Sequence, residues 1–359
     1  MIYVNARFLT QKITGVQRFA EMISLELCKK YDDIVFVCPK GILRRSVAEK
    51  LRVEQIGLSH GHLWEQIELP LYLSQRGSPL LVNLGSTGPI IYRNKIITHH
   101  DITYLRYPES YSKPFILFYR FLVPMMISSS KHLLTVSEFS KREITKTYRY
   151  PGENTSVIYN AADIKFTSKR RKDSVVYFLF VASEKFHKNQ HGMIDAFLKF
   201  NNCRSEGKKV KLKIIGDLLK RELDSNYNLE NGMENIEFLG RVEDDELIIL
   251  YQNAFAFIFP SFYEGFGIPP LEAQACGCPV LASDKASIPE ILGDSALYFD
   301  PFDESEIVKA MEIIIKDDDL RNELIRRGNE NIKRFSWQAS AEKLIKAVRG
   351  VDNLKILGK

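Results

Sequence analysis

Two glutamates, Glu264 and Glu272, lie eight positions apart in the stretch of this 359-residue chain best suited to chemistry. The run Ser261-Phe262-Tyr263-Glu264-Gly265-Phe266-Gly267-Ile268-Pro269-Pro270-Leu271-Glu272-Ala273 follows an apolar segment, Phe255–Phe259, that reads as a buried strand. Open α/β sheets hold their ligands at the carboxyl ends of such strands. Gly265 and Gly267 let the backbone take dihedrals that other residues resist and let a ligand come close. Pro270 suits the first turn of a helix, and Gly277 suits the position after its end. The unpaired amides at that helix start would face the crevice as a phosphate site. Carboxylates beside an anion site make sense if they bind neutral hydroxyls, those of a sugar and of a ribose. Taken alone, the same residues also allow a plainer reading, with Glu272 complementing the helix dipole and Glu264 on a loop surface.

The elements that must carry this stretch follow from the alternation of short apolar runs with amphipathic segments, the pattern of parallel sheets covered by helices. In the first half the predicted strands are Ile2–Val4, Ile34–Cys38, Leu80–Leu84, Lys95–His99 and Leu133–Val136, with helices over Val16–Tyr31 and Phe139–Tyr148. In the second half the strands are Val175–Val181, Leu212–Ile215, Ile236–Phe238, Ala256–Phe259 and Val280–Ala282, with a helix over His191–Asn201. Phe19, Ile23 and Leu27 give the first helix one apolar face. A polar stretch from Asn160 to Asp173, containing Lys169-Arg170-Arg171-Lys172, reads as a surface linker. The domains are therefore set at 1–165 and 166–338, with a C-terminal segment over 339–359.

Composition excludes several classes. Hydrophobic residues at 45% and charged residues at 26% fit a globular protein able to bury two cores. No secretory signal is read at the start, and no run reaches the roughly 18 apolar residues of a membrane span. The nearest, Pro114 to Ile127, carries Arg120 and Pro124 and reads as a core or an interfacial helix. The five cysteines lack metal-ligand spacing and read as buried free thiols of a reducing cytoplasm. The acidic run Asp317-Asp318-Asp319 falls in a polar helical segment rather than at a strand end, so no metal is expected. Residues 1–160 hold 21 Lys and Arg against 13 Asp and Glu, whereas the remainder hold 29 against 32. A basic first half suits a lipid phosphate or an acidic membrane surface, and a solvated lysine-rich face is the plainer alternative. The basic residues form no dense block interleaved with aromatics, so no nucleic-acid partner is expected. A nicotinamide dehydrogenase is disfavoured because no Gly-x-Gly-x-x-Gly follows the first strand.

Tyr263 to Ala273, together with Cys276-Gly277-Cys278-Pro279-Val280, strongly resembles the Glu-x7-Glu motif of the family 4 retaining glycosyltransferases. Further pieces fall in that family's order. They are Leu9 to Gly15-Val16, His100-Asp101-Ile102, Thr135 to Ser140, Val157-Ile158-Tyr159-Asn160, Lys188-Asn189, Phe238-Leu239-Gly240, Ile288-Pro289-Glu290 and Phe335-Ser336-Trp337. The resemblance covers nearly the whole chain. It implies an α/β GT-B fold, two facing Rossmann-like domains with the last helix crossing back onto the first. It also implies transfer of a hexose from a nucleotide-diphosphate sugar bound between them, without cofactor or metal.

Roles carry over where residues match. Glu264 resembles the glutamate that touches the donor sugar, and Glu272 the one that binds the ribose, with amides of Gly265, Phe266, Gly267 and Ile268 along the sugar and diphosphate. Lys188 resembles the lysine that neutralises the departing diphosphate, where a fixed cation stabilises charge growing in the transition state. Ser183 and His187 stand where relatives carry an arginine, and Lys185 is a substitute for that second charge. The amides of Gly15 and Val16 are expected at the diphosphate. His100, followed by Asp101, resembles the histidine near the sugar's reacting carbon. Arg241-Val242 matches the loop beside the nucleotide base, and Asn189 accompanies Lys188. Trp64-Glu65-Gln66 resembles a feature of bacterial polysaccharide transferases, with packing as its alternative role.

The expected acceptor is a saccharide, lipid-linked, at the cytoplasmic face of the cell membrane, and GDP-mannose is the first donor to try. The basic first half and the apolar Phe115–Ile127 motivate the membrane contact, against the alternative that this segment packs inside the first domain. An epimerase or hydrolase of the same fold, or a non-catalytic sugar-nucleotide or glycan-binding subunit, are the rival readings.

Overall fold

The computed structural model describes residues 1–168, 176–204, 210–216 and 233–352; the linker residues Lys169-Arg170-Arg171-Lys172 lie outside them. The chain divides into two compact units. Unit 1 comprises Met1–Ile102, Lys113–Asn160 and the chain from Ser336 onward, and unit 2 comprises Thr103–Ser112 and Ala161–Phe335.

Unit 1 is built on seven parallel strands: β1 Ile2–Asn5, β2 Ile34–Cys38, β3 Glu54–Gln55, β4 Leu80–Asn83, β5 Lys95–Thr98, β6 His132–Thr135 and β7 Thr155–Val157. Their order is β3-β2-β1-β4-β5-β6-β7. β1 pairs with β2 on one side, Ile2 opposite Ile34, and with β4 on the other, Ile2 opposite Leu80. The winding reverses between β1 and β4, which opens the crevice where doubly wound sheets take ligands. The helix Gly15–Lys30 buries Phe19, Ile23 and Leu27, the face expected from their spacing.

Unit 2 repeats the plan with β8 Tyr177–Val181, β9 Lys211–Ile215, β10 Ile236–Gly240, β11 Ala256–Phe259, β12 Val280–Ser283 and β13 Ala296–Phe299. The order is β10-β9-β8-β11-β12-β13, again all parallel, and here the switch lies between β8 and β11. The central strands are apolar, whereas β9 and β10, toward one edge, carry Lys211, Lys213 and Glu237; Phe178, Phe180, Phe197, Phe200, Ile258 and Met311 share one core cluster. The last helix, Trp337–Asp352, packs in unit 1 against Gly15–Lys30. Trp337 lies edge-on to Phe19 at 6.3 Å, Lys30 pairs with Glu342 at 2.5 Å, and Ser340 Oγ donates to the Tyr159 carbonyl at 2.7 Å.

Three expectations need correction. β3, β7 and β13 were not among the predicted strands, since runs of two to four residues are too short to show periodicity. Buried thiols describe Cys38, Cys276 and Cys278, but Cys28 is half-buried and Cys203 exposed. The apolar segment forms the helix Lys113–Ser128, continuous through Pro124, and is neither wholly core nor wholly surface. Leu122, Val123, Met126 and Ile127 are buried, whereas Leu117 is 73% and Phe121 65% exposed. Among the described residues no helix is long and apolar enough to cross a membrane.

Candidate functional site

The end of β8 and the end of β11 bring two distant charges together. Beyond β8, a 3-10 turn over Phe186–Lys188 leads into the helix Gln190–Asn202 through Asn189, whose φ of 54° is left-handed. Asn189 is held there by its Nδ2 donating to the Pro301 carbonyl at 2.8 Å. A Cβ on Gly192 would come within 2.4 Å of Asn189 Oδ1, so the first turn of that helix needs glycine at this place. Beyond β11, the backbone N–H of Phe262 donates to the His187 carbonyl at 2.8 Å, tying the two loops together. The buried Ser287 hydroxyl serves the Glu264 carbonyl at 2.9 Å and the Phe266 carbonyl at 3.1 Å, fixing the second loop from below. Lys188 Nζ then meets Glu264 Oε1 at 2.6 Å, with side chains 21% and 13% exposed. The Phe259 ring centroid lies 5.6 Å from the same ammonium.

Gly267 caps the helix Ile268–Ala275 in the left-handed region, φ 96°, and a Cβ there would sit 3.4 Å from the Phe259 ring. The helix opens at Ile268, with Pro270 in its first turn as expected. Pro269 and Pro270 both fall in its first turn and carry no N–H. Amide donors at this end must therefore come from Ile268 and the loop Gly265-Phe266-Gly267, not from the two prolines. Glu272 is buried on this helix; burial, aided by the Glu272 carboxylate, pushes the Tyr251 phenol well above its ordinary pKa.

Other predicted residues of unit 2 are spread around the pair. Ser183 follows β8, and its hydroxyl is buried without a hydrogen-bond partner among the described residues. Lys185 is exposed, its ammonium 4.5 Å from the Tyr111 ring centroid. His187 is buried, its Nδ1 2.8 Å and its backbone N–H 3.2 Å from Ser110 Oγ, and its ring stacks on Tyr111 at 6.4 Å. Arg241 and Val242 sit beyond β10, the edge strand, two strands from β8.

Sequence reasoning missed Ser110, Tyr111, Tyr107 and Ser287. Tyr107 stacks on Phe262 at 6.1 Å, and Phe262 stacks on Phe302 at 4.5 Å, so an aromatic column walls the Glu264 loop. The segment Thr103–Ser112 joins unit 2 although its chain neighbours on both sides belong to unit 1. No local periodicity marks such a segment.

In unit 1, Gly15 opens its helix at the surface and Val16 is half-buried. Asp101 is half-buried, while His100 is buried with Nε2 3.3 Å from the Leu84 carbonyl and its ring edge-on to Phe19 at 5.0 Å. Contact with a carbonyl puts the proton on Nε2. Burial holds the pKa of His100 below its ordinary value, against the opposing pull of that carbonyl and of Asp101, so the ring is neutral near pH 7. Burial pushes His99 further, to about 4.

Comparison with known proteins follows this division. Residues 162–331 match Glycosyl transferases group 1, and residues 13–166 match Glycosyltransferase Family 4. The O-antigen chain mannosyltransferase RfbU of Salmonella typhimurium is 35% identical over 265 residues, covering 72% of this chain and 70% of its own. O-antigen chain mannosyltransferase B of Escherichia coli is 28% identical over 286 residues, 73% of each chain. Among solved structures, Anabaena HepE in complex with UDP-glucose superposes with a TM-score of 0.75 over 97% of this chain and 99% of its own, at 18% identity. At that identity the likeness concerns the fold.

Proposed function

Because this chain is a glycosyltransferase of family 4, we propose that it is a retaining, metal-independent hexosyltransferase that moves mannose from GDP-mannose to a saccharide acceptor. The observation that carries the reading is the Lys188–Glu264 pair beyond β8 and β11, at the switch point of unit 2. In the proposal Lys188 leaves Glu264 for the diphosphate and stabilises the charge that builds as it departs. The freed Glu264 carboxylate accepts from hydroxyls of the donor sugar, and Glu272 accepts from the ribose. Amides of Gly265, Phe266, Gly267 and Ile268 line the sugar and diphosphate. The buried, unsatisfied Ser183 hydroxyl donates to a phosphate oxygen where relatives carry arginine, with Lys185 as the nearby second cation. Asn189 and His187 set the Lys188 turn, and Arg241 and Val242 border the base.

The acceptor oxygen bonds to the anomeric carbon on the face the diphosphate leaves. The C–O electrons go to the phosphate, and the acceptor proton follows them to a phosphate oxygen, so no protein nucleophile is required. The acceptor is proposed as a lipid-linked saccharide met at the inner face of the membrane. The relatives' names, O-antigen chain mannosyltransferases, support a saccharide acceptor, and the exposed Leu117, Phe118, Phe121 and Met125 of the helix Lys113–Ser128 support the membrane contact.

Thermal-shift titration with GDP-mannose, other nucleotide sugars and the free diphosphates tests the donor, followed by product analysis. A ligand at about 100 times its Kd stabilises the folded chain by about 2.7 kcal/mol, a readily visible shift. No shift with any nucleotide diphosphate, or a mannosyl product of inverted configuration, would sink the proposal.

A further inference from the structure

Trp64-Glu65-Gln66 has no part in the donor site, and the structure sets it at the switch point of unit 1. The residues form a π-helical turn, Trp64–Glu68, a rare conformation that often accompanies function. The buried Trp64 donates its indole N–H to the Ile56 carbonyl at 2.9 Å. Gln66 Nε2 donates to the Gly88 carbonyl at 2.9 Å, and the Ile90 N–H donates to Gln66 Oε1 at 2.9 Å. Held on both sides, the turn aims Glu65 at the ends of β1 and β4. Asn5, the last residue of β1, donates from Nδ2 to Glu65 Oε1 and to Oδ1 of Asn83, the last residue of β4, each at 3.0 Å. Arg7 Nε donates to Glu65 Oε1 at 3.1 Å, Thr87 Oγ1 donates to Oε2 at 2.8 Å, and His62 Nδ1 lies 3.3 Å from Oε2.

Four neighbours saturate the four lone-pair positions of this carboxylate, so Glu65, 1% exposed, has nothing left for a ligand. Its effect is on Arg7. Nε on Glu65 and Nη2 on Thr87 at 2.7 Å fix the guanidinium plane. Among the described residues no partner takes its other N–H donors, and the side chain keeps 12% of its exposure. A buried ion pair stabilises a core no better than apolar packing of equal volume, so packing alone gives little reason for this one. Because Glu65 offsets the charge, Arg7 offers oriented donors with little net charge, which suits hydroxyls better than phosphate.

Aromatic surface lies beside it on the helix Lys113–Ser128. Tyr119 is half-buried, within the fields of both Arg7 and Glu65, and Phe115 stacks on it at 4.0 Å. Phe118 packs on His62 at 4.9 Å. Oriented polar donors beside aromatic faces match a pyranose ring, apolar on its C–H face and hydroxylated at its edge.

We infer that Arg7, held by Glu65, and Tyr119 with Phe115 form a saccharide subsite of unit 1 that reads neutral hydroxyls of the acceptor sugar. The inference rests on the transferase reading above for what the sugar is used for. Saturation-transfer NMR of the full chain with octyl α-mannoside and an octyl mannobioside tests it, with GDP-mannose affinity measured by calorimetry on the same samples. The wild type saturates the mannoside protons. Arg7→Met weakens mannoside binding about tenfold and Tyr119→Phe about threefold, the tenfold loss being about 1.4 kcal/mol, with GDP-mannose affinity held within about twofold. Should Arg7→Met fail to fold with Glu65 left uncompensated, Tyr119→Phe and Phe115→Ala leave the ion pair whole and carry the test. No mannoside binding by the wild type, or equal binding by every variant, overturns the subsite. Mannoside binding without GDP-mannose binding would instead count against the donor reading and leave the subsite standing.

Discussion

Arg7 and Glu65 meet at 3.1 Å beyond β1 and β4 in unit 1, and Lys188 and Glu264 meet at 2.6 Å beyond β8 and β11 in unit 2. Both pairs stand at the switch point of a parallel sheet, the first joining the segment after β1 to a π-helical turn and the second joining a 3-10 turn to a loop. Their surroundings differ. Glu65 is 1% exposed and shares its oxygens among Asn5, Arg7, Thr87 and His62. Glu264 is 13% exposed, with Lys188 as the side-chain partner seen for its carboxylate. Arginine with a planar fork suits the first, a fixed arrangement with several simultaneous bonds. Lysine, a single mobile ammonium, suits the second, where under the proposed function the bond is exchanged for a ligand. One ion pair is locked into the architecture, and the other is a single contact at a partly open position.

The comparison breaks first at Glu65. Glu65→Ala leaves Arg7 buried without its counter-charge, and urea denaturation should show a loss of about 3–5 kcal/mol. Glu264→Ala, more exposed, should cost no more than about 1 kcal/mol by the same measurement. Equal losses would erase the distinction. Next comes Lys188→Ala, expected to lower kcat by about 10²–10³ while leaving the urea midpoint nearly unchanged. A Lys188→Ala chain that unfolds easily would move this pair into the architectural class.

A smaller effect is expected at Ser110→Ala, which strips His187 of the hydroxyl next to the Lys188 turn. Loss of about 0.5–1.5 kcal/mol should appear as a several-fold drop in kcat with donor KM little changed, and Ser110→Thr should restore it. Failure of the threonine variant to recover would mean that the hydroxyl is not what positions the turn. The smallest effect concerns acid. Burial pushes the Glu65 carboxyl up, but Arg7, His62 and Thr87 outweigh it and hold the pKa below the ordinary carboxylate value. A depressed carboxylate contributes stability above its unfolded pKa of about 4.3, and that contribution fades as pH falls through the lower folded value. Wild type should therefore lose stability faster than Glu65→Gln as pH drops below about 4.3, and parallel acid profiles would contradict this.

Much of this was legible in order along the chain. The central strands of both sheets stand out because covered faces leave them largely apolar, whereas short or polar strands such as β3 and β7 do not. Gly267 and Asn189 sit where left-handed backbone is needed, and Lys188 and Glu264 each follow a visible strand. The site's supports were not legible. Ser110 lies 77 positions from the histidine it holds and Glu65 lies 58 from its arginine, and the residues between them encode other elements. Pro270 falls in the first turn of its helix, as its type suggests, but proline alone does not say which position of that turn it fills.

What the sequence determined by itself is local: which segments are strand or helix, and which carry glutamate, lysine and glycine at strand ends. Those follow from periodicity and backbone freedom, properties of neighbours in the chain. Strand order was decided only in three dimensions, and with it the positions of the two switch points. The tertiary fold alone decided that one carboxylate would be saturated and buried and the other left partly open, because burial and hydrogen-bond partners come from residues far apart in the chain.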